Sequence, residues 1–158
     1  MGVSMHSPVR RIALSKRAVP VVAGLAVASI GGIALATAPP TVMKGTARVG
    51  GGNRTVLVTG SGQTLYWLSD ERVGNLKCLT QACFATWPPL KVGANDRLTK
   101  GPGVNGTLSK LRRVRGGFYQ VMLNGHPLYR YSGDRNTKGS AKGQAIRSYG
   151  GIWYVINQ

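Results

Sequence analysis

The sequence predicts a mainly β protein: a small antiparallel domain built from two sequence-related hairpin or meander repeats, preceded by a signal segment and a flexible tether. Three observations carry this expectation. Gly62-Gln63-Thr64-Leu65-Tyr66 returns as Gly125-His126-Pro127-Leu128-Tyr129, an offset of 63 residues that also keeps Ser69 opposite Ser132. Beyond Ala38, Gly and Pro punctuate every apolar run. No stretch there sustains helical periodicity over ten or more residues.

The N-terminal segment separates from the rest by composition. Arg10, Arg11, Lys16 and Arg17 precede a run from Ala18 to Ala38 that carries no charge. A basic region, an apolar region and small residues at Ala34-Leu35-Ala36 predict a signal peptide over residues 1–38, with Ala36 the better cleavage position because Pro39 follows Ala38. The alternative is an uncleaved anchor, since the run approaches the roughly 20 apolar residues that span a bilayer. Pro20 and Gly31-Gly32 weaken such a helix. In either case the remainder lies outside the cytoplasm.

Residues 39–52 are Pro, Thr, Ala and Gly with scattered basic residues, a composition that predicts a flexible linker. The β domain is expected over residues 53–158, with repeat one at about 53–92 and repeat two at about 107–158. Val56-Leu57-Val58 and Thr64 to Leu68 form the first hairpin. Phe118 to Leu123, the Asn124-Gly125 turn and Pro127 to Tyr131 form the second. Thr107 to Val114 alternates as a further strand, and Ile152-Trp153-Tyr154-Val155-Ile156 closes the chain.

Cys78 and Cys83 are the only cysteines, and an oxidising compartment would join them. The loop they close is short, so the entropic stabilisation is modest, about 2 kcal/mol. Two thiolates without a second pair or a nearby His do not make a zinc site.

Tyr129-Arg130-Tyr131-Ser132-Gly133-Asp134 has the form Tyr-x-aromatic-x-x-Asp, and Gly-x-x-Leu-Tyr precedes both this segment and its earlier counterpart. With Cys-x4-Cys before Trp87-Pro88-Pro89-Leu90, and Gly143-Gln144 before Gly150-Gly151-Ile152-Trp153, the chain resembles the secreted repeat of bacterial predicted lipoproteins that share a Tyr-x4-Asp motif. The resemblance covers roughly Val56 to Val155 and implies an exported, repeat-built domain without an established activity. Two departures stand out. The first copy has Leu68 at the aromatic position and Glu71 at the acidic one, and no Cys directly follows the apolar region to take a lipid. A secreted or envelope-associated protein is therefore expected.

Two roles are open for Tyr129, Tyr131, Asp134, Tyr66 and Glu71. A Tyr at a strand end and an acid five residues on can tie the strand to the loop that follows it. Alternatively, the same side chains line a ligand groove. Lys110, Arg112, Arg113 and Arg115 form a candidate anionic-polymer patch, with a charged strand edge that resists aggregation as the other reading.

Twenty-one basic residues face four acidic ones. Setting aside the four basic residues before the apolar run, the rest carries a net charge of +13. Expected partners are anionic cell-wall polymers or lipid head groups, and a membrane only if the signal segment stays attached. Specific nucleic-acid binding conflicts with export.

Asp70 and Glu71 are adjacent, and no Ser-His-Asp or Cys-His arrangement can be assembled, so no enzyme is expected, and no cofactor or metal. His126 is expected as a solvated turn residue, and Gly101 to Gly106 as a loop despite its G-x-G-x-x-G letters. The function predicted is thus a non-catalytic binding or structural module at the cell surface. The alternative is a metal- or redox-linked extracytoplasmic protein drawing on His126, Met122 and the cysteines.

Overall fold

The computed structural model describes residues 38–158 together with Met1 and Gly2, so the predicted signal segment falls outside the described residues. The described chain is mainly β. Its elements are β1 (Val42–Val49), β2 (Gly52–Thr59), β3 (Tyr66–Leu68), α1 (Gln81–Thr86), β4 (Lys91–Val92), β5 (Leu108–Arg113), β6 (Phe118–Leu123), β7 (His126–Pro127), a 3-10 turn (Ser132–Asp134), β8 (Arg147–Ser148) and β9 (Gly151–Val155). Strands pair antiparallel as β1-β2, as β3-β9-β8 and as β4-β6-β5, with β7 added to β6.

The flexible linker expected over 39–52 is corrected by β1, which pairs with β2 from Val42↔Thr59 to Val49↔Gly52. Val42 is buried in one apolar cluster and Ala47 and Val49 in another, on opposite faces of the strand, and that burial outweighs the Pro, Thr and Gly content of the segment. The ordered domain accordingly begins before residue 53.

Short hairpins follow from local turn chemistry. Asn124 and Gly125 take positive φ of 50° and 79°, the backbone that a two-residue turn between twisted strands requires, and Leu123 pairs with His126 across it. The β2–β3 connection closes through Leu65 N–H donating to Leu57 O at 3.0 Å. Leu57 N–H in turn donates to Ile156 O at 2.8 Å. The same relay recurs later in the chain: Leu128 N–H donates to Val121 O and Val121 N–H to Leu90 O, both at 2.9 Å.

Between the two relays, Tyr66 and Tyr129 bridge antiparallel, and Pro89 bridges to the other side of Tyr129 as Val155 does to Tyr66. The core sits on this joint. Trp87 and Trp153, both fully buried, stack with ring centroids 3.9 Å apart and planes 4° apart. Tyr66 meets Trp87 edge-on at 5.5 Å, and Tyr129 meets Trp153 edge-on at 5.0 Å. Such edge contacts set the negative ring face against a positive ring edge, adding to the burial of four large side chains.

Candidate functional site

The Tyr and acid residues of the motif come together, but across the joint. The Tyr66 hydroxyl donates to Asp134 Oδ2 at 2.7 Å, while Asp134 Oδ1 accepts from Ser140 Oγ at 2.7 Å and from Lys142 N–H at 2.9 Å. Gly143 N–H donates to the Tyr66 oxygen at 3.3 Å. A Cβ at residue 143 would come within 2.9 Å of both the Trp87 and Tyr66 rings, so only glycine lets this backbone reach the phenol.

Glu71 builds the matching site from the other acid. Its Oε1 accepts from Lys77 N–H and Cys78 N–H, each at 3.0 Å, and stands 3.8 Å from Arg113 Nη2. Arg113 Nη2 also donates to the Tyr129 oxygen, and Arg113 Nη1 donates to Cys78 O at 3.2 Å. Arg113 Nε donates to Gln120 Oε1 at 2.6 Å, and Gln120 Nε2 to Leu128 O at 2.8 Å. Each acid thus holds the loop that follows it, Glu71 through two backbone donors and Asp134 through one backbone donor and a hydroxyl, while the phenol beside it comes from a distant part of the chain.

Burial raises the pKa of both phenols well above the ordinary tyrosine value. For Tyr66 the hydrogen bond to Asp134 and its charge add to that effect. For Tyr129 the Glu71 charge raises it further, against the opposing Arg113 charge. Both phenols therefore stay protonated donors through the physiological range.

These side chains are withdrawn from solvent to different degrees. Tyr66, Tyr129 and Glu71 are fully buried and Asp134 is 6% exposed. Tyr131, half-buried, lies against Trp87 with ring centroids 4.4 Å apart. With Asp134 it borders a small crevice of about 10 Å³.

The predicted basic patch is corrected at one position. Arg113 is 3% exposed and committed to Glu71, Tyr129, Gln120 and Cys78, so it offers nothing to a polymer. Arg112 and Arg115 are exposed. Lys110, half-buried, spends its ammonium on Gly93 O at 3.2 Å and Ala94 O at 2.6 Å. Sequence alternation alone could have separated Arg113 from Arg112, because neighbours on a strand face opposite ways. What it lacked was a sign of which face is inward.

Cys78 and Cys83 form a disulfide, with Cα atoms 5.6 Å apart at the two sides of the start of α1. Thr80 caps that helix, accepting from Cys83 N–H at 3.1 Å. Bonded to each other, the cysteines present no thiolate to a metal. His126 corrects the expectation of a solvated turn residue: it is half-buried, its Nδ1 is 2.9 Å from Glu71 O, and its ring lies 4.5 Å from that of Trp67. Among the described residues no group of three or more His, Cys, Asp or Glu gathers to hold a metal ion.

A groove that sequence reasoning missed lies beside α1. Phe84, Pro89, Lys91, Arg115, Phe118 and Arg130 line a space of about 530 Å³. These residues come from four separate stretches of chain, and no spacing pattern links them. Comparison of the chain with known protein families, curated proteins and solved structures finds no match.

Proposed function

We propose that this chain is an exported, non-catalytic envelope module made of two related β units, whose basic surface binds anionic polymers of the cell surface. One observation carries the binding part: two of the four acidic residues, Glu71 and Asp134, are buried in the fold. Asp70 and Asp96 are then the only acidic side chains on the outside, against basic residues of which Arg113 alone is fully withdrawn and most are exposed. Such an imbalance attracts polyanions over a distance of about 10 Å at ordinary ionic strength.

Duplication is supported by the 63-residue offset of the Gly-x-x-Leu-Tyr segments and by the matching relays Leu65–Leu57–Ile156 and Leu128–Val121–Leu90. Export is supported by the basic and apolar N-terminal pattern and by the disulfide, which persists in oxidising compartments. The resemblance to the secreted Tyr-x4-Asp repeat family fits both.

The test is cell fractionation together with the mass of the recovered protein. A chain shortened near Ala36, found outside the cytoplasm and released from isolated cell wall by salt, is the expected result. An intact chain confined to the cytoplasm would overturn the proposal.

A further inference from the structure

The groove beside α1 has the make-up of a binding site. Its floor is apolar: Phe84 and Phe118 meet edge-on at 5.8 Å with planes 74° apart, and Pro89 lies alongside. Its cations come from three elements: Lys91 from β4, Arg115 from the β5–β6 turn, and Arg130 from the segment after β7. Lys91 Nζ sits 4.4 Å from the centre of the Phe118 ring. Arg130 donates from Nη1 to Gln63 Oε1 at 3.3 Å, and its Nε is buried without a protein partner. No carboxylate lines the groove.

The fold makes this kind of cleft twice. Where Arg130 follows Leu128 and Tyr129, Trp67 follows Leu65 and Tyr66, and Trp67 lines a second cleft of about 490 Å³ with Tyr154, Asn157 and Arg54. That cleft carries one cation, Arg54, where the first carries three. Similar backbone surroundings therefore hold different chemistry, and of these two clefts the first gathers the positive charge.

We propose that the groove of Phe84, Phe118, Lys91, Arg115 and Arg130 is a site for a phosphate group carried on a sugar or polyol chain, an inference that rests on the polymer-binding function proposed above. Three cationic donors with no carboxylate among them suit the charged non-bridging oxygens of a phosphate, each of which accepts more than one hydrogen bond. The guanidinium forks of Arg115 and Arg130 match that geometry, and the phenyl and proline surface packs the carbon-bound hydrogens of the carrier.

The experiment measures binding of the full chain to poly(glycerol phosphate) and to inorganic polyphosphate, which lacks the polyol. The groove variant Lys91→Gln/Arg115→Gln/Arg130→Gln is compared with Arg48→Gln/Arg54→Gln/Arg147→Gln, which removes equal charge from exposed positions elsewhere. The expected result is a loss on the order of tenfold for the groove variant relative to its control, with the polyol polymer preferred by the unaltered chain.

Lys91→Gln/Arg115→Gln, at two exposed positions, should lose binding in the same direction with the fold intact. Equal losses in groove and control variants would overturn the site while leaving polymer binding in place. No binding by the unaltered chain would overturn the function on which the site rests. Equal affinity for polyphosphate would overturn the role of the apolar floor.

Discussion

Tyr66 and Tyr129 exchange both main-chain hydrogen bonds, Tyr66 N–H to Tyr129 O at 2.8 Å and Tyr129 N–H to Tyr66 O at 2.9 Å. Each side chain then lies beside the acid five residues beyond the other: Tyr66 at Asp134, and Tyr129 at Glu71 by way of Arg113. Tyrosines and acids that the sequence presents as local pairs therefore fasten together segments far apart in the chain. The consequence is that these residues should govern stability and leave binding untouched.

Tyr66→Phe leaves a buried carboxylate short of one donor, and Asp134→Asn removes the charge that the phenol serves. Each should cost about 1–3 kcal/mol. Because the two groups touch, the double variant should cost less than the sum of the singles. Urea unfolding of the four proteins in the cycle measures the coupling.

Glu71 and Arg113 form the buried ion pair, with side chains 0% and 3% exposed. Removing either partner leaves an uncompensated charge in the interior, so Glu71→Gln and Arg113→Met should each lose about 3–5 kcal/mol. Arg112→Gln, one residue away and exposed, should stay within about 0.5 kcal/mol of the unaltered protein. Thermal or urea unfolding separates the two outcomes.

Alkaline pH should unfold the domain through the same two phenols. A group whose pKa is raised by folding contributes stability that is complete below its unfolded value, about 10 for tyrosine, and that is lost as the pH climbs from there toward the folded value. Both Tyr66 and Tyr129 are raised. Stability should hold up to about pH 10 and fall above it. In a spectroscopic titration, two of the six tyrosines should ionise only as the fold is lost.

The stacked Trp87 and Trp153 lie beside the Tyr66–Tyr129 bridge, with Tyr66 and Tyr129 edge-on to them. Trp87→Ala should cost about 3–5 kcal/mol, because neighbours held by hydrogen bonds cannot collapse into the space. Reduction of the Cys78–Cys83 disulfide should cost less, about 2 kcal/mol, since it closes a short loop. Calorimetry on the variant and on the reduced protein gives the order.

The parts of this fold that were legible in the sequence are those set by local chemistry. Asn124-Gly125 signals its turn because few other residue pairs take positive φ twice. The strands at Val56, Tyr66, Phe118 and Trp153 announce themselves by β-branched and aromatic content. β1 was hidden because three buried side chains, Val42, Ala47 and Val49, are spread through polar and small residues, and its partner β2 supplies the order. The crossing of Tyr66 to Asp134 was hidden for a related reason: spacing of five residues describes neighbours along the chain, whereas the contact spans 68. Arg113 stands in a basic run that reads as surface, and only the position of Glu71 and Gln120 behind β5 explains its burial.

Binding of the full chain to poly(glycerol phosphate), followed as salt is raised from about 0.05 M to about 0.5 M, tests the proposed function most directly. With Asp70 and Asp96 the only acids outside the core, affinity should be measurable at low salt and fall steeply across that range. Tyr66→Phe should bind as the unaltered protein does. Binding that is absent at low salt, or indifferent to salt, would contradict the assignment of the basic surface to an anionic polymer.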